Sequence, residues 1–332
     1  MNGFIHNIRF LHVRHAPSSL CSACALLFAV LVVGPDALAA TIYVSPQASE
    51  VERTAADELG HYVFAMTQQE AQVVEGDPQS TQGDAFHIRV NAQWPREKWS
   101  VRSVDNGVVL EGGSRGVLYA VYHYLEDVCG VQWFTPDAEF VPRLADLPKR
   151  DLNLEGLPEL AVRDVPGARY RQEEDYRFAA RLRLNAMGGF RISDKLGGSE
   201  TFGLPNRCHT FRLYIPFAKY GKLHPEWFAL HDGKRFAASG ESHQIAQLCL
   251  SNRQLREEVV RRLVEFIEKD RQDAARRGAA PPTVYDISQD DNQRYCQCEE
   301  CSKIAVREGG NQSGVMIDFI NDIADAISKT HP

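Results

Sequence analysis

The sequence predicts an α/β protein in two parts. A small α/β domain over residues 41–148 is followed, over 159–332, by the first half of a (β/α)8 TIM-type barrel, truncated after about four of its eight strands. Three observations predict this. Strand-period and helix-period apolar patterns alternate in a compact unit ending near Pro148. A linker rich in charge and proline, Leu144 to Pro158, interrupts them. Beyond it the alternation restarts with the longer spacing of parallel βα units.

In the first part, Thr41 to Val44 reads as a short strand. Val51 to Met66 reads as a helix, because Ala55, Leu59, Tyr62, Val63 and Met66 recur at three- and four-residue spacing. Phe86 to Val90 and Trp99 to Val104 alternate as strands do. Asp105-Asn106-Gly107 is turn chemistry, and Val108 to Glu111 returns as the partner of a hairpin. A second helix, Arg115 to Val128, presents Leu118, Val121, Tyr122 and Leu125 on one face.

In the second part, strands are expected at 161–165, 184–187, 245–250 and 283–288. Helices are expected at Tyr176 to Arg183, from Arg253 to about Arg276 behind an Asn252 cap, and from Gly314 to Lys329 behind a Ser313 cap. A long glycine-rich loop region, Gly188 to Asn206, lies between. A whole barrel needs about 250 residues, and about 170 follow the linker.

Composition narrows the function. The apolar share is 44%, the charged share 24% and the formal charge −7. No stretch has dense Lys/Arg clustering, so neither nucleic acid nor an anionic membrane is the expected partner, and a neutral or sugar-like ligand fits better. At the N-terminus, Arg9 and Arg14 precede an apolar run from Ala23 to Val33, then Ala37-Leu38-Ala39-Ala40. That order predicts a signal peptide over 1–40, cleaved after Ala39 or Ala40, and a periplasmic or extracellular protein with no membrane span after cleavage. Cys21 and Cys24 leave with it. Cys129, Cys208, Cys249, Cys296, Cys298 and Cys301 remain, too few in so large a chain to make a disulfide framework.

Two stretches carry resemblances. Tyr119 to Pro136, with Tyr122, Leu125, Glu126, Gly130, Trp133 and Phe134, resembles the end of the N-terminal domain shared by family 20 hexosaminidases and family 67 α-glucuronidases. That domain is a non-catalytic companion of the barrel, so the resemblance implies structural roles. Gly130 reads as a helix C-terminal cap and Trp133 as a packing anchor. Further on come Cys208-His209-Thr210-Phe211, His224-Pro225-Glu226-Trp227-Phe228, Gln247 to Asn252 and Tyr295-Cys296-Gln297-Cys298. Together they resemble the exported bacterial proteins of domain-of-unknown-function family 4838. That resemblance implies a hydrolase-like barrel without supplying a substrate.

The candidate catalytic residues are Asp291 and Asp290, in Ser288-Gln289-Asp290-Asp291-Asn292 directly after the fourth expected strand. Catalytic groups project at the C-terminal ends of barrel strands, and glycoside hydrolysis typically uses two carboxyl groups. Adjacent acids raise each other's proton affinity, which suits one of them to act as an acid. The pair also resembles the acid pair after strand four of substrate-assisted hexosaminidase barrels. In the resembled family the position of Asp291 is usually Asp and that of Asp290 usually Asn, which favours Asp291. His209 and His224, in the loops between strands two and three, are candidates to bind a sugar hydroxyl or carboxylate, with Trp227 as a stacking surface beside His224.

Cys296-x-Cys298-x-x-Cys301 is too tight to be core packing. Two readings stand. One is a structural zinc site whose fourth ligand is Cys208, His209 or His224; the other is a disulfide within the triplet, with the third cysteine paired to Cys208. The expected function is an exported glycoside hydrolase, or a relative of one, acting on polysaccharide-derived, uronic or N-acetylated sugars and needing no cofactor for its chemistry. The alternative is a non-catalytic carbohydrate-binding protein on the same scaffold. With only half a barrel, the chain alone is expected to be silent on glycosides.

Overall fold

The computed structural model describes residues 40–76, 85–165, 171–186, 192–205, 208–235 and 247–331. The expected signal peptide, apart from Ala40, lies outside them, as do Ile245, Ala246 and part of the glycine-rich loop region. Among the described residues no helix is long and apolar enough to cross a membrane.

The strands are β1 (Ala40–Val44), β2 (Ala71–Glu75), β3 (Ala85–Val90), β4 (Trp99–Val104), β5 (Gly107–Gly112) and β8 (Asn153–Gly156), in the sheet order β2-β1-β3-β5-β4-β8. β1 runs parallel to β2 and β3, and β3 parallel to β5, while β4 is antiparallel to β5 and β8. The expected hairpin is the β4–β5 pair. Its Gly107 has φ 136°, and a Cβ there would lie 1.8 Å from the Ala85 carbonyl oxygen, so only glycine fits. β2 and β8 are additions to the expected pattern, and β8 lies inside the stretch read as a linker.

Helix α1 (Glu50–Thr67) starts at Ser49, whose side chain accepts from the Glu52 N–H while Glu52 accepts from the Ser49 N–H at 2.8 Å, a closed capping box. Helix α2 (Gly116–His123) continues into a π-turn at Tyr124–Val128 and stops at Gly130, whose φ is 83°. The apolar faces expected for both helices are buried against Ile42, Phe86, Ile88, Val101, Val108 and Leu110 of the sheet. This is an α/β core with a parallel-rich sheet, in keeping with the α/β class the sequence predicts. A small antiparallel pair follows, β6 (Gln132–Thr135) and β7 (Ala138–Phe140).

The second part is made of α3 (Glu173–Arg181), the short turns α4 (Phe211–Tyr214) and α5 (Phe217–Tyr220), the two-residue strands β9 (Leu230–His231) and β10 (Lys234–Arg235), and the helices α6 (Arg253–Arg277), α7 (Glu299–Arg307) and α8 (Gln312–Ser328). Asn252 caps α6 as expected, accepting from Leu255 N–H at 3.0 Å. The cap of α8 is Asn311, which accepts from Gly314 N–H at 3.1 Å, two residues before the expected Ser313. Leu255, Val259, Leu263 and Ile267 of α6 join Phe319 and Ile323 of α8 around Phe211, Tyr214, Trp227 and Phe228.

The expected barrel strands do not form a ladder among the described residues. Val284 makes one isolated parallel bridge, to Phe202, and Leu248 one antiparallel bridge, to Phe228. The reason is where the backbone groups find partners. Gly203 N–H donates to the Val284 carbonyl, Phe211 N–H to the Ser288 carbonyl, and Ser288 N–H to the Thr210 hydroxyl. Among the described residues, segment 284–288 is thus bonded to Gly203, Thr210 and Phe211, and no ladder to residues 247–250 forms.

Candidate functional site

The segment 208–212 holds residues 286–292 in place. His209 adopts a left-handed φ of 53°, which turns its carbonyl to accept from Arg212 Nη1 at 2.6 Å. Its ring Nδ1 lies 3.0 Å from the Gln289 carbonyl oxygen, which can only accept, so Nδ1 carries a proton. The buried Thr210 hydroxyl accepts from Ser288 N–H at 2.8 Å and lies 3.1 Å from both the carbonyl and Oδ1 of Asp286. Arg212 Nη1 then reaches Asp290 Oδ1 at 3.1 Å, and the Asp290 side chain is 3% exposed. Gln247 Nε2 donates to the carbonyls of Asp290 and Asn292 at 2.7 and 3.0 Å.

Of the residues the sequence singles out, Asp290, Asp291 and His209 therefore belong to one arrangement. The two acids differ in environment: Asp290 is buried and ion-paired, Asp291 is exposed. His224 and Trp227 make a separate pair. Their rings stack at 4.0 Å and 9°, and Nδ1 of His224 is 3.1 Å from Glu226 Oε1. Trp227 is 5% exposed and packs beside Tyr220 as well, so it is core and offers no face for stacking a sugar. Beside Gln289 and Gln247 the open space is about 10 Å³, enough for one water. A larger cavity of about 460 Å³ lies at the other end of segment 283–290, against Arg96, Glu97, Glu159, Glu200, Thr201 and Val284.

The cysteines come together differently from the expected set. The Sγ atoms of Cys249, Cys296, Cys298 and Cys301 all lie within 4.8 Å of one another. Cys208 is exposed and outside this group, and neither His209 nor His224 joins it; the fourth member is Cys249. Cys249 sits in an apolar run that reads as a barrel strand, which hid its role. Its Sγ is 3.6 Å from that of Cys298, far beyond an S–S bond of about 2.05 Å, and all four are free thiols. Hydrogen bonds from Cys296 and Cys301 hold the Cys249 thiol below its ordinary range, and the contact with Cys249 pushes Cys296 up to about 11.

One charged network has no signature in the sequence. Arg115, 1% exposed, donates to Glu97 at 2.6 Å, to Glu200 at 2.7 Å and to the carbonyls of Gly197 and Gly198 at 2.9 Å each. Glu97 Oε1 also accepts from Arg163 and Asn185. Glu97 and Glu200, two of the carboxylates bordering the larger cavity, are thereby already engaged in holding the fold.

Fold and site together define an α/β protein in which a buried Asp290 pairs with Arg212 and four cysteines cluster in the second part of the chain. The chain belongs to the family described as a domain of unknown function, DUF4838, whose model matches residues 133–332. No curated protein matches it. Solved structures to which it is similar include a family GH115 4-O-methyl-α-glucuronidase with specificity for decorated arabinogalactans, at 10% identity and TM-score 0.36, over 87% of this chain and 40% of that one. The Streptomyces plicatus N-acetyl-β-hexosaminidase is similar at 14% identity and TM-score 0.32, over 68% and 52%. A family GH138 enzyme targeting pectin rhamnogalacturonan II is similar at 10% and 0.31, over 45% and 18%. The chain thus spans about half of those chains or less.

Proposed function

We propose that this chain is part of an exported carbohydrate-active protein of the glycoside hydrolase type, with Asp291 as its acid. The observation that carries the reading is the consecutive pair Asp290–Asp291, one acid buried on Arg212 and the other exposed, in a loop whose Gln289 carbonyl is held by the His209 ring. Arg212 and the Gln247 amide fix the position of Asp290 and the backbone on both sides of Asp291. An acid so placed can deliver a proton to a glycosidic oxygen as the C–O bond breaks and water adds to the sugar carbon. The chemistry calls for carboxyl groups and no cofactor. Asp290 is the positioning residue, and His209 supports the loop through its ring and its carbonyl.

The expected barrel strands form no ladder among the described residues, so the chain is not held to the inactivity expected of half a barrel, and the test is aglycone release by the full chain from aryl uronides, N-acetylhexosaminides and pectic glycosides. Asp291→Asn is expected to lower kcat/KM on the order of 10²-fold with an unchanged melting temperature. Asp290→Asn is expected to lower activity and stability together, because it leaves Arg212 without its buried partner. Sugar binding that survives both substitutions, with no turnover by the unmutated chain, would favour the carbohydrate-binding alternative. Neither binding nor turnover on the panel would overturn the reading.

A further inference from the structure

We propose that Cys249, Cys296, Cys298 and Cys301 form a structural tetrathiolate site for one Zn²⁺, which anchors the loop bearing Asp290 and Asp291. The argument begins with distances. A tetrahedral zinc with Zn–S bonds of about 2.3 Å places its sulfurs about 3.8 Å apart. Here all four Sγ atoms lie within 4.8 Å of one another, and the Cys249–Cys298 pair is at 3.6 Å.

Local structure explains how the four converge. Cys298 is the N-cap of α7 and Cys301 lies in its first turn, so Cys298-x-x-Cys301 brings two sulfurs to one side of a helix N-terminus. That end of a helix favours thiolate charge. Cys296 enters from the loop before it, where its sulfur accepts from Leu230 N–H at 3.3 Å. Cys249 enters from just before α6, with its own N–H donating to the Trp227 carbonyl at 2.8 Å.

The surroundings suit a charged cluster. The Ser251 hydroxyl lies 3.1 Å from Cys301 Sγ and 3.6 Å from those of Cys249 and Cys298. The guanidinium of Arg235, held by the carbonyls of Glu226 and Phe228, faces Cys249 and offsets part of the double negative charge of a zinc with four thiolates. Four protein sulfurs close the coordination sphere, which makes the site structural and not catalytic. Apolar packing there is thin: besides the cysteines, the fully buried members are Ala229, Ala305 and Val315. A metal would therefore supply the cohesion that so small a core lacks, tying residues 228–235 to the starts of α6 and α7.

The cluster also reaches the candidate acids. Gln247, two residues before Cys249, holds the carbonyls of Asp290 and Asn292, and Cys296 closes the same loop five residues after Asp291. The site stands whether or not that loop is catalytic.

The experiment uses the full chain purified without chelator. Mass spectrometry of the metal is expected to give about one zinc per chain, and Co²⁺ in its place to show the sulfur-to-cobalt absorption of tetrahedral thiolate coordination. Cys249→Ser and Cys298→Ser are expected to lower occupancy to below about a tenth, and Cys208→Ser to leave it unchanged. In denaturant with chelator and no reductant, every cysteine of the chain, the four of the cluster included, should react with a thiol reagent. The thiol count on the unmutated protein keeps the test open if a variant fails to fold. Absence of metal together with thiols that appear only after reduction would overturn the proposal in favour of disulfides. Zinc lost on Cys208→Ser would overturn the assignment of the fourth ligand.

Discussion

Replacing Arg115 with methionine is expected to destabilise the protein by about 3–5 kcal/mol, the cost of removing one partner from a buried ionic network. The stem of Arg115 lies against Gly197, where a Cβ would approach its Cγ to 2.6 Å, so the side chain is packed as well as bonded. Methionine fills a similar volume but leaves the carbonyls of Gly197 and Gly198 without that donor and removes a cation from between Glu97 and Glu200. The measurement is the urea midpoint at unchanged slope. The pH dependence gives a second reading of the same network. Burial alone would raise the Glu97 carboxyl, but hydrogen bonds from Arg163, Arg115 and Asn185 and the charge of Arg115 outweigh it, lowering it from an ordinary 4.5 to about 2. A carboxyl depressed in the folded state contributes stability above its unfolded value and loses it as pH falls towards its folded value. Stability should therefore decline between about pH 4.5 and 2, and less steeply in the Arg115→Met variant. A loss below about 1 kcal/mol at neutral pH would show that Arg163 and Asn185 carry the network without Arg115.

The elements legible in the sequence are those whose pattern is local. Ala55, Leu59, Tyr62, Val63 and Met66 mark the buried face of α1 by spacing alone, and Asn252 marks the start of α6 by its capping side chain. The edge strands β2 and β8 are not legible. Ala71–Glu75 is mostly exposed, and Asn153–Gly156 has no apolar alternation, so their pairing comes from the neighbouring strands β1 and β4. The apolar runs expected as barrel strands carry strand composition, but composition does not specify a partner. Segment 284–288 bonds to 203–211 through Thr210, Phe211 and Gly203. The candidate site divides in the same way. The triplet Cys296, Cys298 and Cys301 is visible because its members are close in sequence. Cys249 lies 47 residues before Cys296 in a hydrophobic run, and Arg115 meets Glu200 across 85 residues. Only the family resemblance favours Asp291 over Asp290 in the sequence; the physical difference between them, burial and the ion pair of Asp290 with Arg212, comes from the fold.

Trp133→Ala is expected to cost about 3–5 kcal/mol, as for a large aromatic removed from a core. Trp133 sits in β6, 6% exposed, where the edges and faces of Tyr62 from α1 and Tyr122 from α2 meet it at 5.8 and 5.6 Å, near-perpendicular in both cases. Its indole Nε1 donates to the Tyr62 hydroxyl at 2.7 Å, and that hydroxyl donates to Glu139 Oε2 at 2.5 Å. The guanidinium of Arg181 lies over the Tyr62 ring at 5.3 Å and also bonds to the buried Glu58 of α1. One indole thus joins both helices of the first sheet to α3. Alanine would leave a cavity lined by two tyrosine rings, Tyr62 held by its bond to Glu139 and Tyr122 by complete burial in the core, which cannot collapse to fill it. Phenylalanine keeps most of the packing and removes only the indole donor. The Tyr62 hydroxyl then still donates to Glu139, so Trp133→Phe should cost about 1 kcal/mol. Denaturant midpoints of the two variants separate the contributions: packing predicts a wide gap between them, a hydrogen-bonding role predicts similar losses. If Trp133→Ala costs no more than Trp133→Phe, the anchor is the Tyr62–Glu139 pair and the indole only lies beside it.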